Sequence, residues 1–315
     1  MVNKGELDVE TVEARVFASS SSLDRNPLWA QSLIHIILLL LGVICLYPML
    51  NVLAVSFSEA QAIYRNPMML FPESFTLEAY KYIFSTRVLL NSFGITVFVT
   101  VFGTFLNLVF TICGAYALSK TTVPGHKVML WMIVIPMLFG AGLIPMYILL
   151  KEIHLLNTIW VLILPKLVAP FNMILMRNFF WSIPEGLEES ARIDGAGEFR
   201  IIWNVILPLS IPVIATIGLF YAVGHWNDFF TGLFFIKDNT KWPLQVLLRS
   251  IIIDFNLLNM GTQGSHMSQD MSKLVLQPEN IKAASIIFAI FPIVCVYPFL
   301  QRYFVKGIML GSVKG

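Results

Sequence analysis

Long uncharged stretches alternate with short polar ones along the whole chain. Asn26 to Ser58, Val88 to Ser119, Val128 to Leu150, Ile201 to Asn227 and Ala283 to Gln301 contain no Asp, Glu, Lys or Arg, and Ile153 to Met176 contains only Lys166. A bilayer core of about 30 Å needs about 20 helical residues at 1.5 Å each. Each run therefore predicts a membrane-crossing helix, and the fold class is an all-α membrane protein with six transmembrane helices. A barrel is excluded, because its strands alternate apolar and polar residues, whereas these runs are continuously apolar. Pro48, Pro136, Pro145, Pro165, Pro208, Pro212, Pro292 and Pro298 fall inside the runs and read as kinks, since neighbouring helices re-satisfy the freed carbonyls. The glycines of GITVFVTVFG and FGAG suit close helix–helix approach.

The polar segments set the topology. Residues 1–28 mix Glu6, Asp8, Glu10, Glu13 and Asp24 with Lys4, Arg15 and Arg25, and lack the basic start and short apolar core of a cleavable signal. The first span is thus expected to stay as an anchor, and an even number of spans leaves both ends on one side. With the N-terminus inside, the inner segments hold 11 Lys and Arg and the outer ones 9, counted from the 21 with Lys166 set aside. That margin favours cytoplasmic termini. The expected organisation is a tail over 1–28, a six-helix transmembrane domain over 29–305 and a tail over 306–315. A long outer segment over 230–280 is expected to meet partner proteins, with a short helix around Trp242 to Ser250.

Composition narrows the class. Of 315 residues 57% are hydrophobic and 13% charged, about half the charge of a soluble domain. The net charge of +2 offers no basic field for nucleic acid. An ordinary cytosolic enzyme, a disordered chain and a disulfide scaffold are excluded. Cys45, Cys113 and Cys295 lie singly in apolar runs, and His35 and His154 are isolated, so no metal site and no catalytic residue is expected.

One polar segment, residues 182–200 between the fourth and fifth runs, is built differently. Ser182 with Glu185 three residues on reads as a capping-box helix start. Leu187, Ala191 and Ile193 offer a small apolar surface among Glu188, Glu189, Arg192 and Asp194. Asp194-Gly195 supplies a turn, and a second helix from near Gly197 carries Phe199, Ile202, Trp203 and Ile206 into Leu207-Pro208. A short helix, a glycine turn and a helix entering the bilayer make a lever for a docked partner. The residues alone leave open a charged loop lying on the membrane surface.

The stretch Glu189-Ser190-Ala191-Arg192-Ile193-Asp194-Gly195-Ala196, followed by Ile206-Leu207-Pro208-Leu209-Ser210-Ile211-Pro212, resembles the EAA loop of binding-protein-dependent ABC importer permeases. Ser190 replaces the middle alanine, a small-for-small change. Ala115-Tyr116-Ala117-Leu118-Ser119-Lys120, Leu143-Ile144-Pro145-Met146-Tyr147 and Leu156-Asn157-Thr158 are similar to sugar permeases at matching places. Tyr297 to Gly307 and Gly311 to Gly315 resemble the MalG-like carbohydrate branch, nearest the LplC/YtcP-like permeases for oligo- and polysaccharides.

The resemblance implies a type I importer permease fold in a bacterial cytoplasmic (inner) membrane, with a cytoplasmic coupling helix. Glu188, Glu189, Ser190, Ala191, Arg192, Asp194 and Gly195 would couple it to ATPase subunits. The implied partners are a second homologous permease, two ATPase subunits, an extracytoplasmic solute-binding protein, a sugar and membrane lipid. No cofactor is expected on this chain, ATP and Mg belonging to the ATPase subunits; it has no G-x-x-x-x-G-K-[ST] loop and is not read as an enzyme.

Candidates for the substrate path are Lys166, Asn172, His225, Trp226 and Asn227. An intramembrane lysine is costly, so Lys166 is expected to face a cavity, a polar partner or, by snorkelling, the interface. Asn172 serves either sugar hydroxyls or a helix contact. His225-Trp226-Asn227-Asp228 is the polar, aromatic cluster a sugar site uses, though such residues also mark interfaces. Two other classes stay open: a permease for peptides or amino acids, and a self-sufficient secondary transporter, which would carry intramembrane acid relays or inverted repeats.

Overall fold

The computed structural model describes residues 28–259 and 278–309. The N-terminal tail, the turn-rich stretch from Gly261 to Lys273 and the Gly311 to Gly315 motif lie outside the described residues. The described residues are helical apart from turns and one isolated bridge between Ser58 and Phe75.

Three helices are singly long and apolar enough to cross a membrane: Trp29–Ser56, Arg87–Ser119 and Glu279–Val296. They lie in α1 (Leu28–Ser56), α4 (Arg87–Ser119) and α13 (Pro278–Met309). Between α1 and α4 come the short α2 (Ala60–Arg65) and α3 (Glu78–Ser85). The other three apolar runs are each a bent pair. α5 (His126–Leu138) and α6 (Leu143–Glu152) meet at 120°, the 3-10 turns over Ile159–Lys166 and α7 (Pro170–Trp181) at 46°, and α9 (Glu198–Leu209) and α10 (Ile211–Trp226) at 84°. Before α9 lies α8 (Glu185–Ile193); after α10 come α11 (Phe230–Phe235) and α12 (Leu244–Asn259).

The bends correct the expectation of kinked but continuous helices. FGAG is a corner: Gly142 sits at φ +77°, and a Cβ on Gly140 would meet nothing within 4 Å. Gly94 is likewise in open space, so of these glycines only Gly103 serves a close approach, against His225. The α9–α10 bend falls at Ser210, between Pro208 and Pro212, where two missing N–H groups free carbonyls from the helical ladder.

α4 is the central post. Its buried residues Leu89, Ser92, Thr96, Val99, Gly103, Asn107, Thr111, Ala115 and Leu118 recur every three or four positions, one face of a helix. Most are small or polar, which lets neighbours approach closely and hydrogen-bond across. Around that face pack α7, α10 and α12, and α13 packs in turn on α10 and α12. One buried cluster joins Ala115 to Met173, Met176, Phe180, Ile206, Ile217 and Tyr221; another joins Leu89 to Trp226, Leu244, Ile251, Ile281 and Ala284. α1 is different. Its leucines and isoleucines from Leu33 to Leu50 are exposed, with Leu38 at 61% and Leu39 at 67%, and only its end packs, through Ala54 and Val55. A helix that is apolar all round and exposed has lipid as its solvent.

Candidate functional site

The 182–200 segment folds into a helix, a turn and a second helix. The predicted capping box does not form. Ser182 Oγ donates backwards to Phe179 O at 2.7 Å, and Pro184 occupies the N-cap of α8. Proline pre-sets the backbone just ahead of a helix, so the start needs no serine.

The far end of α8 is a complete Schellman close. Gly195 sits at φ +80°, its N–H donates to Arg192 O at 3.0 Å, and Ala196 N–H donates to Ala191 O at 3.0 Å. The predicted glycine turn is thus present, and α9 leaves it with Gly197 at its N-cap.

Charges fasten this module to the end of α4. Glu188 is buried, and its carboxylate pairs with the Lys120 ammonium and, at 3.7 Å, with Arg192. Arg192 also pairs with Glu198 at 2.9 Å, and that hydrogen bond holds the guanidinium pKa above its ordinary value. Glu198 accepts from Tyr116 OH at 2.6 Å, and Lys120 lies 5.0 Å over the Tyr116 ring. Ala191 packs inward, Ser190 Oγ donates to Gly186 O, and Glu189 and Asp194 are exposed. The outer side presents apolar groups: Leu187, Trp203, Ile193 at 86% and Phe199 at 89% exposure. Tyr116 and Lys120 were legible only as part of a motif, with no sign that they anchor the loop.

A second polar site lies between α4, α7 and α10. A cleft of about 340 Å³ is lined by Lys166, Asn172, Tyr221 and His225 with apolar neighbours including Val168 and Phe220. Lys166 Nζ is 2.7 Å from Asp228 Oδ2, a contact of charges without the alignment of a directed hydrogen bond. The lysine side chain is 43% exposed and the aspartate 6%. His225 Nε2 and Asn107 Oδ1 are 2.7 Å apart, and the Asn107 amide donates to the Lys166 and Leu167 carbonyls at 2.6 and 2.8 Å. Tyr221 OH is 2.8 Å from Thr111 Oγ1 and accepts from Ala169 N–H at 3.0 Å.

Of the sequence candidates, Lys166, Asn172 and His225 come together here. Trp226 does not reach the cleft: it is buried toward α13 and its indole N–H donates to Ala289 O at 3.2 Å. Asn227 is exposed, with its amide donating to Val223 O. Asn107 was missed, although an asparagine in an uncharged span is itself a signal. A larger recess of about 640 Å³ beside Phe57, Tyr80 and Phe84 is walled mainly by rings and alkyl groups and holds none of these side chains.

Long apolar helices, broken spans and an amphipathic module tied by charges to their ends define a multi-pass transport subunit. Residues 127–310 match the family model described as the binding-protein-dependent transport system inner membrane component. The chain is 47% identical over 274 residues to the protein LplC of Bacillus subtilis (strain 168), covering 87% of this chain and 91% of the other. It is 43% identical over 283 residues to the polygalacturonan/rhamnogalacturonan transport system permease protein YtcP of the same organism, covering 90% and 97%. A crystal structure of a bacterial ABC transporter involved in the import of the acidic polysaccharide alginate contains a chain with TM-score 0.81 and 32% identity, covering 87% of this chain and 96% of that one. The chain belongs to the binding-protein-dependent transport inner-membrane family and is a permease subunit of an ABC importer.

Proposed function

We propose that this chain forms one half of the translocation path of an oligo- or polysaccharide importer, with six spans and both termini in the cytoplasm. A second homologous permease completes the path, two ATPase subunits bind ATP and Mg, and an extracytoplasmic binding protein delivers the sugar. The sugar assignment follows the polygalacturonan and alginate systems that similar permeases serve.

The observation that carries the reading is the two-sided α8 module. Its inner side is fixed to α4 through Glu188–Lys120 and Glu198–Tyr116, while Leu187, Ile193 and Phe199 stand exposed on the other. A partner seated on those apolar groups moves α8 and α9 together, and α9 leads through the bend at Ser210 into α10. Exposed apolar side chains on a charged, water-facing helix are otherwise unfavourable, and a partner's cleft removes them from water.

The experiment is gentle purification of the chain from its native membrane, with co-purifying proteins identified by mass spectrometry. An ATPase and a second multi-span permease are expected, and Phe199→Asp is expected to lose the ATPase while retaining the permease. Recovery of the chain alone, transporting sugar into liposomes without ATP, would overturn the reading.

A further inference from the structure

The cleft has a chemical bias that a general sugar path does not require. Among the described side chains that line it, the groups without a hydrogen-bond partner are the Lys166 ammonium, the Asn172 amide and the Nδ1 of His225. The Lys166 ammonium has three N–H groups and one ionic partner, Asp228, which lies buried behind it and does not line the cleft. Asn172 is 6% exposed, lines the cleft and has no hydrogen-bond partner among the described residues. The cleft also opens on the start of α7, a 12-residue helix with Ala169 at its N-cap and Pro170 first inside. Ala169 N–H is taken by Tyr221 OH and Pro170 has none, so the N–H groups of Phe171 and Asn172 are the ones without a carbonyl one turn back, and the helix dipole places partial positive charge there. Ammonium, buried amide and helix start come together along one short stretch, residues 166–172, where the 3-10 turn leads into α7.

Resting on the sugar-importer reading, we propose that this cleft is a carboxylate seat that selects uronic-acid units of the passing sugar, with Lys166 as the contacting cation, Asn172 as a second contact and Asp228 as the residue that positions Lys166. A lysine in a span otherwise snorkels to the nearest interface. Asp228 holds it inward from behind, and leaves its other N–H groups toward the cleft. The buried counter-ion also offsets the lysine's charge within the protein. The seat is a passing one: a path must bind well enough to admit a unit and weakly enough to release it. A carboxylate at Lys166 meets the repulsion of Asp228, which limits its residence. The volume, at the low end of the range of about 300–1,000 Å³ for small-molecule sites, suits a short piece of a sugar chain rather than a whole one.

The test uses the intact importer in proteoliposomes with its binding protein and ATP. Uptake of an oligogalacturonide is compared with uptake of its methyl ester, matched in length. Wild type is expected to prefer the acid. Lys166→Gln should lower acid uptake about tenfold, the scale of one charge-assisted hydrogen bond, and leave ester uptake within about twofold. Lys166→Arg should restore the preference. Asp228→Asn should reduce acid uptake in the same direction and, as a readout that mere folding would not move, raise the rate of reductive methylation of Lys166. The double variant Lys166→Gln/Asp228→Asn, a neutral polar pair, should insert and carry the ester without acid preference. Equal loss of both sugars in Lys166→Gln, no loss of either, or a wild type without preference overturns the seat. Uptake of neither sugar by wild type, with ATPase activity unmoved by the loaded binding protein, instead removes the importer reading beneath it.

Discussion

Tyr116, one turn before the end of α4, donates its hydroxyl to Glu198 Oε2 at 2.6 Å, joining the central post to the first residue of α9. Glu198 in turn holds Arg192 at 2.9 Å across the Gly195 turn, so α4, α8 and α9 share one carboxylate. Tyr116→Phe keeps the ring and removes the hydroxyl. We expect a loss of about 1–2 kcal/mol in stability, the scale of a hydrogen bond to a charged group. We also expect a fall in sugar carried per ATP hydrolysed, read by paired uptake and phosphate-release assays. An unchanged ratio would mean that the bond fixes the loop without transmitting motion.

The Glu188–Lys120 pair permits a charge-swap cycle. Glu188 is buried, whereas Lys120 keeps 26% of its side-chain surface. Breaking a wholly buried pair costs about 3–5 kcal/mol, and the exposed lysine reduces that here to about 1–3 kcal/mol. Glu188→Lys and Lys120→Glu should each lower recovery of assembled complex, and the double swap should regain part of it. Additive losses in size-exclusion yields would show that the two residues act independently.

Gly195 is the position where one substitution separates insertion from coupling. Its φ of +80° lies far from the −65° that proline demands, and proline removes the N–H that meets Arg192 O. Gly195→Pro should therefore break the close of α8 while the apolar spans still insert. ATP hydrolysis without sugar uptake is the expected phenotype, and retained uptake would remove the lever mechanism. Gly195→Asn, which tolerates the left-handed region better than other side chains, should keep most of the uptake.

The legible and the illegible parts of this molecule divide on physical grounds. Uncharged runs announce helices because lipid demands them, and Asp194-Gly195 announces a turn because φ above zero favours glycine. Ser182 misled: its hydroxyl bonds the preceding turn, and Pro184 starts α8. Broken spans were not legible from hydropathy, since Val128 to Leu150 is equally apolar as one helix or as two at 120°. The cleft was half legible. Lys166, Asn172 and His225 stand out as polar residues in apolar runs, but that Trp226 turns toward Ala289 and Asn107 toward His225 depends on helix rotation, which one sequence does not fix.

Gly103 is where backbone and cleft meet most tightly. A Cβ there would lie 2.7 Å from His225 Nε2, the atom that bonds Asn107 Oδ1. His225 is buried on a helix and held by Asn107, which in turn supports the carbonyls of Lys166 and Leu167. Gly103→Ala should push α4 and α10 apart or rotate the imidazole off Asn107, at about 1–3 kcal/mol for overpacking. Thermal unfolding of the purified complex measures the loss, with Gly94→Ala, whose Cβ would meet nothing within 4 Å, as the control expected to be near neutral. Adding His225→Ser to Gly103→Ala relieves the clash and keeps a hydroxyl near Asn107, so it should recover part of the stability. Further loss in the double variant would place the contact elsewhere and leave Gly103 as a matter of helix flexibility alone.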